Sequence, residues 1–249
     1  MLICGLNKTT LLDYPGRVAA TVFTGGCNFR CPFCHNAGLV LSPLTQEHYT
    51  EEDILSFLRK RRNILSGVCI TGGEPTIQQD LPDFIQKIKE LGIAVKLDTN
   101  GSHPQMLEQL IRERQIDYVA MDIKNSPTKY QDTAGFPAEQ VLSSADLLMC
   151  SDIPYEFRTT VVKEFHALQD LEEIAGWIRG CPGYYLQQFE DSGQLIAEME
   201  GSVDRIGSFH AYEEAELKEM ANSLNQISGM EGKVHLRGLS GESYNKDYR

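Results

Sequence analysis

Arg17-Val18-Ala19-Ala20-Thr21-Val22-Phe23-Thr24 runs without a break into Gly25-Gly26-Cys27-Asn28-Phe29-Arg30-Cys31-Pro32-Phe33-Cys34-His35-Asn36. The first part is short, apolar and rich in β-branched and aromatic residues, which reads as a buried strand. The second part stops that strand with two glycines and then sets three cysteines on one loop. The same plan, a strand ending in a polar cluster, recurs down the chain. Val68 to Thr71 leads into Gly72-Gly73-Glu74-Pro75, Ala94 to Thr99 ends in Asp98-Thr99-Asn100-Gly101, and Tyr118 to Ile123 ends in Met121-Asp122-Ile123-Lys124. Tyr155 to Val162, which carries Arg158, and Tyr184 to Phe189 continue the series.

Between these runs the apolar period changes from two to about 3.6. Leu81, Phe84, Ile85, Ile88 and Leu91 share one helical face, with Asp80 placed to cap it. Thr50 and Asp53 stand at capping-box spacing before Ile54, Leu55 and Leu58. Gln105 to Arg112, Glu139 to Met149, Leu168 to Ile178 and Glu213 to Ile227 are further helices. Six strands alternating with helices predict an α/β fold of parallel strands joined by right-handed crossovers. Periodicity alone admits a full barrel, a partial barrel or an open doubly wound sheet. In each of these the functional loops lie at the C-terminal ends of the strands, where every polar cluster above falls.

Composition narrows the function. The chain has 249 residues, 41% hydrophobic and 23% charged, an ordinary globular balance. No linker or repeat divides it, so a single domain over 1–249 is expected, with a core at about 17–190 and a helical extension at about 191–249. Asp and Glu number 35 against 23 Lys and Arg; a net charge of -12 opposes binding to nucleic acid. No apolar run reaches the roughly 20 residues that cross a bilayer, and Met1 to Gly5 lacks a basic region followed by a long apolar one. A soluble cytoplasmic protein is expected. Seven cysteines, an odd number with three of them between residues 27 and 34, favour a metal site over a disulfide framework.

Structural zinc takes four protein ligands, commonly as two pairs, and no second pair of cysteines is present. An iron-sulfur cube takes one ligand per iron, so three thiolates leave one iron open for a non-protein ligand. Two alternatives stand beside this: a zinc loop completed by His35 or Cys4, and an electron-carrying cluster. Cys4, Cys69, Cys150 and Cys181 lie in or beside apolar runs and read as small buried hydrophobes. Helix capping is an alternative role for Asp98 or Thr99, solvent exposure for Lys124, and an ordinary salt bridge for Arg158.

The spacing of Cys27, Cys31 and Cys34, with Phe33 before the last, resembles the signature of the radical S-adenosylmethionine superfamily. Cys34-His35-Asn36, Gly72-Gly73-Glu74, Asp98-Thr99-Asn100-Gly101 and Asp122-Ile123-Lys124 occur in the order found in activating enzymes of glycyl-radical proteins. The lead-in Asp13-Tyr14-Pro15-Gly16, with Lys96 to Gly101 and Tyr185 to Phe189, is most similar to anaerobic ribonucleoside-triphosphate reductase activating proteins. One departure is that Leu186-Gln187-Gln188-Phe189-Glu190 lacks the histidine of the pyruvate formate-lyase branch.

The resemblance implies a partial (β/α)6 TIM-type barrel with outer helices, a 4Fe-4S cluster on Cys27, Cys31 and Cys34, and S-adenosyl-L-methionine on its open iron. It implies that Gly72, Gly73 and Glu74 meet the methionyl ammonium, and that Asp98, Thr99, Asp122 and Lys124 bind the ribose, amine or carboxylate. Arg158 would pair with the carboxylate, and Phe33, His35 and Asn36 would flank the adenine. The implied reaction removes a hydrogen from a glycine of a partner glycyl-radical enzyme, anaerobic ribonucleoside-triphosphate reductase, with reduced flavodoxin or ferredoxin as electron donor; the alternatives are an activase of another glycyl-radical enzyme, of the pyruvate formate-lyase type, and a radical enzyme acting on a small molecule.

Overall fold

The structure, a computed structural model, describes residues 1–191, 193, 195–199 and 209–239. In chain order the elements are β1 (Ile3–Thr10), β2 (Ala19–Thr24), α1 (Ala37–Leu41), α2 (Glu51–Arg61), β3 (Gly67–Gly72), α3 (Leu81–Lys89), β4 (Ala94–Thr99) and α4 (Pro104–Arg112). They continue with β5 (Tyr118–Asp122), α5 (Tyr130–Ala134), α6 (Glu139–Met149), β6 (Tyr155–Val161), α7 (Leu168–Trp177), β7 (Tyr184–Gln188), α8 (Ile196–Met199), α9 (Glu214–Leu224) and β8 (Val234–Arg237). The eight strands lie side by side in chain order. β2 to β8 are parallel, and β1 alone runs antiparallel, against β2.

All six strands read from the sequence are present in the expected order and direction. Two more flank them. β1 is an edge strand whose register slips on either side of Gly5 to Asn7, and its mixture of Gly5, Asn7, Lys8 and Thr9 carries no clean alternation. β8 has four residues, too few for a period to show. It falls where a purely helical extension was expected, so that stretch also lengthens the sheet; the rest of the extension, at 192, 194, 200–208 and 240–249, lies outside the described residues. The short helices α1, α5 and α8 also have no amphipathic signature to read.

Register divides the sheet into two chemically opposed faces. Thr21 pairs with Cys69 and Cys69 with Lys96, Asp122 pairs with Arg158, and Thr160 with Gln187, so one face is a polar array. On the other face Val22, Ile70, Leu97 and Val119 are in register and fully buried in the hydrophobic core. Strands lie about 4.8 Å apart, so β2 and β7 would be about 24 Å apart in a flat sheet. Residues of all six strands from β2 to β7 nevertheless line one cavity of about 300 Å3, so the sheet curls around its polar face. This is the partial-barrel arrangement, with the polar face inside and the helices packed outside.

The helices seat through the predicted apolar stripes: Ile54, Leu55 and Leu58 on α2, and Leu81, Phe84, Ile85 and Ile88 on α3, are buried. At α2 the capping box forms as read, with Thr50 Oγ1 accepting from Asp53 N at 3.1 Å and Asp53 Oδ2 accepting from Thr50 N at 2.8 Å. At α3 the expectation fails. Asp80 occupies the cap position but makes no capping bond, because its carboxylate is paired with the Met1 nitrogen. No helix among the described residues is long and apolar enough to cross a membrane.

Phe84 is fully buried. Phe84→Ala is expected to cost about 3–5 kcal/mol through lost transfer energy and a residual cavity. Leu44→Ala, at a side chain 76% exposed, should stay within about 0.5 kcal/mol; chemical denaturation of the two variants checks the contrast.

Candidate active site

At the C-terminal ends of the strands the curled sheet opens into the cavity, and all fourteen residues singled out from the sequence line it. Cys27, Cys31 and Cys34, with Phe33, His35 and Asn36, come from the loop after β2; Gly72, Gly73 and Glu74 from β3 and its loop; Asp98 and Thr99 from β4. Asp122 and Lys124 come from the end of β5, and Arg158 from β6. One wall is thiol, the facing walls are charged.

The cysteine loop is pinned from every side. Gly26 N donates to Leu39 O at 2.7 Å, Glu74 N donates to Gly26 O at 2.8 Å, and Gly73 N donates to Thr24 O at 2.9 Å. These bonds bring the backbones of the two loops together so closely that a Cβ on Gly73 would collide with the Gly26 carbonyl oxygen. Gly72 is at φ +115° against the backbone of Thr24, a conformation and a contact that only glycine accepts. Asn36 Nδ2 donates to Gly72 O at 3.2 Å. Arg30 N donates to Ala134 O at 2.8 Å. Ile196 N and Ala197 N donate to Cys34 O (3.2 Å) and Pro32 O (3.1 Å), so α8 is tied to the loop.

Glu74 is 1% exposed and braces two strand ends. Its Oε1 accepts from Thr76 N (3.0 Å), Thr76 Oγ1 (2.5 Å) and Thr99 Oγ1 (2.7 Å), and its Oε2 from Asn100 N (2.6 Å). Burial raises its carboxyl above the usual range in spite of those four bonds. Across the cavity Arg158 bridges two carboxylates, donating from Nε to Asp122 Oδ1 at 2.8 Å and from Nη1 to Asp98 Oδ2 at 3.1 Å. Lys96 pairs with Asp98 from below, and Lys124 Nζ donates to Asp122 Oδ2 at 2.9 Å. Burial works to raise both aspartates, but Arg158 with Lys96 at Asp98, and Arg158 with Lys124 at Asp122, outweigh it and hold both below the usual carboxylate range. The result is an alternating array: Lys96, Asp98, Arg158, Asp122, Lys124.

Burial pushes the Cys27 thiol up to about 11 and the Cys31 thiol to about 12, and raises Cys34 as well. All three are free of disulfides. Among the described residues no three His, Cys, Asp or Glu side chains converge on the position of one ion. A cube asks for no such convergence, since each thiolate takes a separate iron, and three sulfur donors on a glycine-hinged loop beside a polar cavity fit that group. Cys4 does not line the cavity; its Sγ lies behind the loop against Pro43 O at 3.5 Å, which removes it as a fourth ligand.

Several lining residues were given no site role from the sequence. Asp13 reaches in from the β1–β2 loop and bonds Thr21; Cys69, Thr160 and Gln187 lie on the inward face. Asn100 Nδ2 donates to Asn28 Oδ1 at 3.1 Å and faces Cys27 Sγ at 3.8 Å. The inward parity of Thr21, Cys69 and Lys96, two residues before Phe23, Thr71 and Asp98, was the available signal. Two of the remaining cysteines need correction. Cys150, expected to be buried, is exposed at the end of α6. Cys69 is buried but is more than an apolar filler, because its Sγ donates to Asp98 Oδ1 at 3.5 Å and accepts from Lys96 Nζ at 3.8 Å.

A parallel partial barrel with a three-cysteine loop at the mouth defines a class of cluster-bearing enzymes. Residues 21–178, more than half of the chain, match the family described as the Radical SAM superfamily. The chain belongs to that superfamily and is a radical S-adenosylmethionine enzyme. It is 35% identical over 199 residues, 76% of this chain and 80% of the relative, to a protein of Methanocaldococcus jannaschii provisionally named a glycyl-radical enzyme activating enzyme. It is also 29% identical to a probable GTP 3',8-cyclase of Thermococcus kodakarensis over 61% of this chain and 50% of that relative. Among solved structures, Streptococcus suis SuiB bound to precursor peptide SuiA aligns with a TM-score of 0.68 at 14% identity over 88% of this chain and 48% of that one. A domain of pyruvate-formate lyase-activating enzyme from Bacteroides vulgatus aligns with a TM-score of 0.55 at 18% identity over 70% of this chain and 99% of that one. At these identities the two structures show the shared fold.

Glu74→Ala leaves four donors without their acceptor, and each buried orphan costs roughly 1–3 kcal/mol. Glu74→Gln keeps one carbonyl oxygen for the threonine donors but turns an amide toward Asn100 N, so its loss should be smaller. Denaturant titration of both variants, expected in that order, checks the bracing role.

Proposed function

We propose that this enzyme activates a glycyl-radical enzyme. In this reading Cys27, Cys31 and Cys34 hold a 4Fe-4S cluster, and the strand ends facing them hold S-adenosyl-L-methionine. The observation that carries it is the meeting, in one cavity, of three free thiols with Gly72 to Glu74, Asp98, Asp122 and Lys124. The 35% identity to the M. jannaschii protein extends over most of both chains and supports the activase reading.

When bound, the cluster would pass one electron to S-adenosylmethionine, and the pair would supply the radical chemistry that removes a Cα hydrogen from a glycine. The chain's own groups bind and orient. Asp13, Glu74, Asp98 and Asp122 against Lys124 and Arg158 leave the cavity lining with a formal excess of acids, which suits a sulfonium cation bearing an ammonium. Glu74 Oε2, with one hydrogen-bond donor against three at Oε1, keeps acceptor capacity for that ammonium. Lys124 offers its ammonium to the methionyl carboxylate. Two of the five N–H donors of Arg158 are taken by Asp122 and Asp98, which leaves part of its fork for the same carboxylate. Asp98 and Asp122, held ionised by their cations, accept from ribose hydroxyls, with Thr99 behind them. Phe33, packed on Phe165 at 5.2 Å, and the His35 and Asn36 backbone form the adenine side.

The partner in this reading is anaerobic ribonucleoside-triphosphate reductase, with reduced flavodoxin or ferredoxin as donor, in the cytoplasm; residues 1–249 act as one domain.

Anaerobic mixing of the reconstituted enzyme, S-adenosylmethionine, reduced flavodoxin and that reductase is expected to give a glycyl electron-spin signal. Cys31→Ala should abolish both the cluster and cofactor cleavage, whereas Cys150→Ala should retain them. Cofactor cleavage without a glycyl signal would overturn the partner, and recovery of about one zinc per chain with no sulfide would overturn the cluster.

A further inference from the structure

Lys124 follows the last residues of β5 by two positions, yet its backbone is fixed as firmly as a strand. Its N–H donates to Tyr130 Oη at 3.2 Å, and its carbonyl lies 2.8 Å from His166 Nε2. A carbonyl can only accept, so Nε2 donates to Lys124 O, while Nδ1 accepts from Val162 N at 3.0 Å, the shorter of its two contacts, with Val162 O at 3.3 Å. Tyr130 and His166 are both fully buried. Burial lowers His166 below its ordinary range, in keeping with a neutral ring.

The same two rings seat the cysteine loop. Phe29, between Cys27 and Cys31, meets Tyr130 edge-on at 6.1 Å; Phe33, between Cys31 and Cys34, meets His166 edge-on at 6.2 Å. Each aromatic of the loop therefore meets a ring that holds one of the two backbone polar groups of Lys124. The side chain is held too, by Asp122 Oδ2, and it lines the cavity together with all three thiols. Asp122 shares its charge with Arg158 as well, so it does not cancel Lys124 alone.

We propose that Lys124, locked to the cysteine loop through Tyr130 and His166, is the positioned cation that raises the reduction potential of the cluster on Cys27, Cys31 and Cys34. The inference rests on the cluster reading above and adds to it a role that does not depend on cofactor contact. Reduction places another negative charge on a unit where three thiolates already outweigh the cube, and a fixed ammonium in a poorly solvated cavity favours that reduced form. Tyr130 and His166 act as positioning residues, because they touch the Lys124 backbone and the loop but carry no charge of their own to the cluster.

The test is a redox titration, followed by electron-spin resonance, of the anaerobically reconstituted full chain without S-adenosylmethionine. Lys124→Met is expected to move the midpoint to more negative potential and Lys124→Arg to restore it to near the wild-type value. Tyr130→Phe, which keeps the ring and the lysine, should shift it the same way by less. Lys129→Met, at a lysine paired with Asp170 on the protein surface, should leave it unchanged. If Lys124→Met does not assemble the cube, Lys124→Gln is judged by the same criterion. A Lys124 variant with full iron and sulfide that titrates at the wild-type midpoint overturns the proposal, as does an equal shift in Lys129→Met. Failure of the wild-type chain to take up iron and sulfide would instead overturn the cluster reading itself.

Discussion

Arg158 sits between Asp98 and Asp122, and this one guanidinium joins three parallel strands across the inside of the curled sheet. A sheet whose concave face carries acids and bases cannot be closed around an empty apolar core; each charge has to be matched by another as it leaves water. Lys96 and Lys124 extend the match at either end, so the row alternates in sign from β4 through β6. Removing one member of such a row strands its partners, at about 3–5 kcal/mol for a buried pair. The hydrophobic effect works on the other face, where Val22, Ile70, Leu97 and Val119 pack beneath the helices. Stability and chemistry are thus assigned to opposite sides of the same strands.

That division explains why the cysteine loop can be short and still well placed. It does not rest on its own side chains. Gly26 and Gly73 bring its backbone against the loop after β3, Asn36 ties its far end to Gly72, and α5 and α8 are bonded to it. Phe29 and Phe33 line the cavity beside the thiols and are held there by aromatic contacts with Phe136, Tyr130, Phe165 and His166. The three sulfurs are left facing the cavity, in surroundings that disfavour their ionisation until something with positive charge occupies the site. Loops that tether one another through backbone bonds, each from a different strand, hold such donors more precisely than one flexible loop could.

Much of this was legible from residues alone, and for identifiable reasons. The strands β2 to β7 are buried on one face by continuous apolar residues, so their positions showed as short β-branched runs, and the polar clusters at their ends marked the mouth of the barrel. Strand β1 stayed hidden because an edge strand needs no alternation, and β8 because four residues hold no period. Asp80 illustrates the limit of local rules: a residue in the capping position gave its carboxylate to a nitrogen far away in sequence. Asp13, Thr21 and Cys69 reach the site through curvature, which brings β2 and β3 into line with β5 and β6. Tyr130 and His166 reach Lys124 only through tertiary packing, and no spacing in the chain announces it. Arg158 was placed in the site by resemblance; that Asp122 meets it follows from strand register, and that Asp98, which stands opposite Ala120, also reaches it follows from side-chain packing across β5, neither of which the sequence states.

The central claim is that three thiols at the mouth of this barrel hold a cube with one iron left for a non-protein ligand. Mössbauer spectroscopy of the chain reconstituted with 57Fe, before and after addition of S-adenosylmethionine, tests it directly. The account predicts a four-iron cluster in which one iron alone changes its isomer shift when the cofactor is added. A spectrum in which all irons are equivalent and unaltered by the cofactor, or one showing only mononuclear iron, would contradict it.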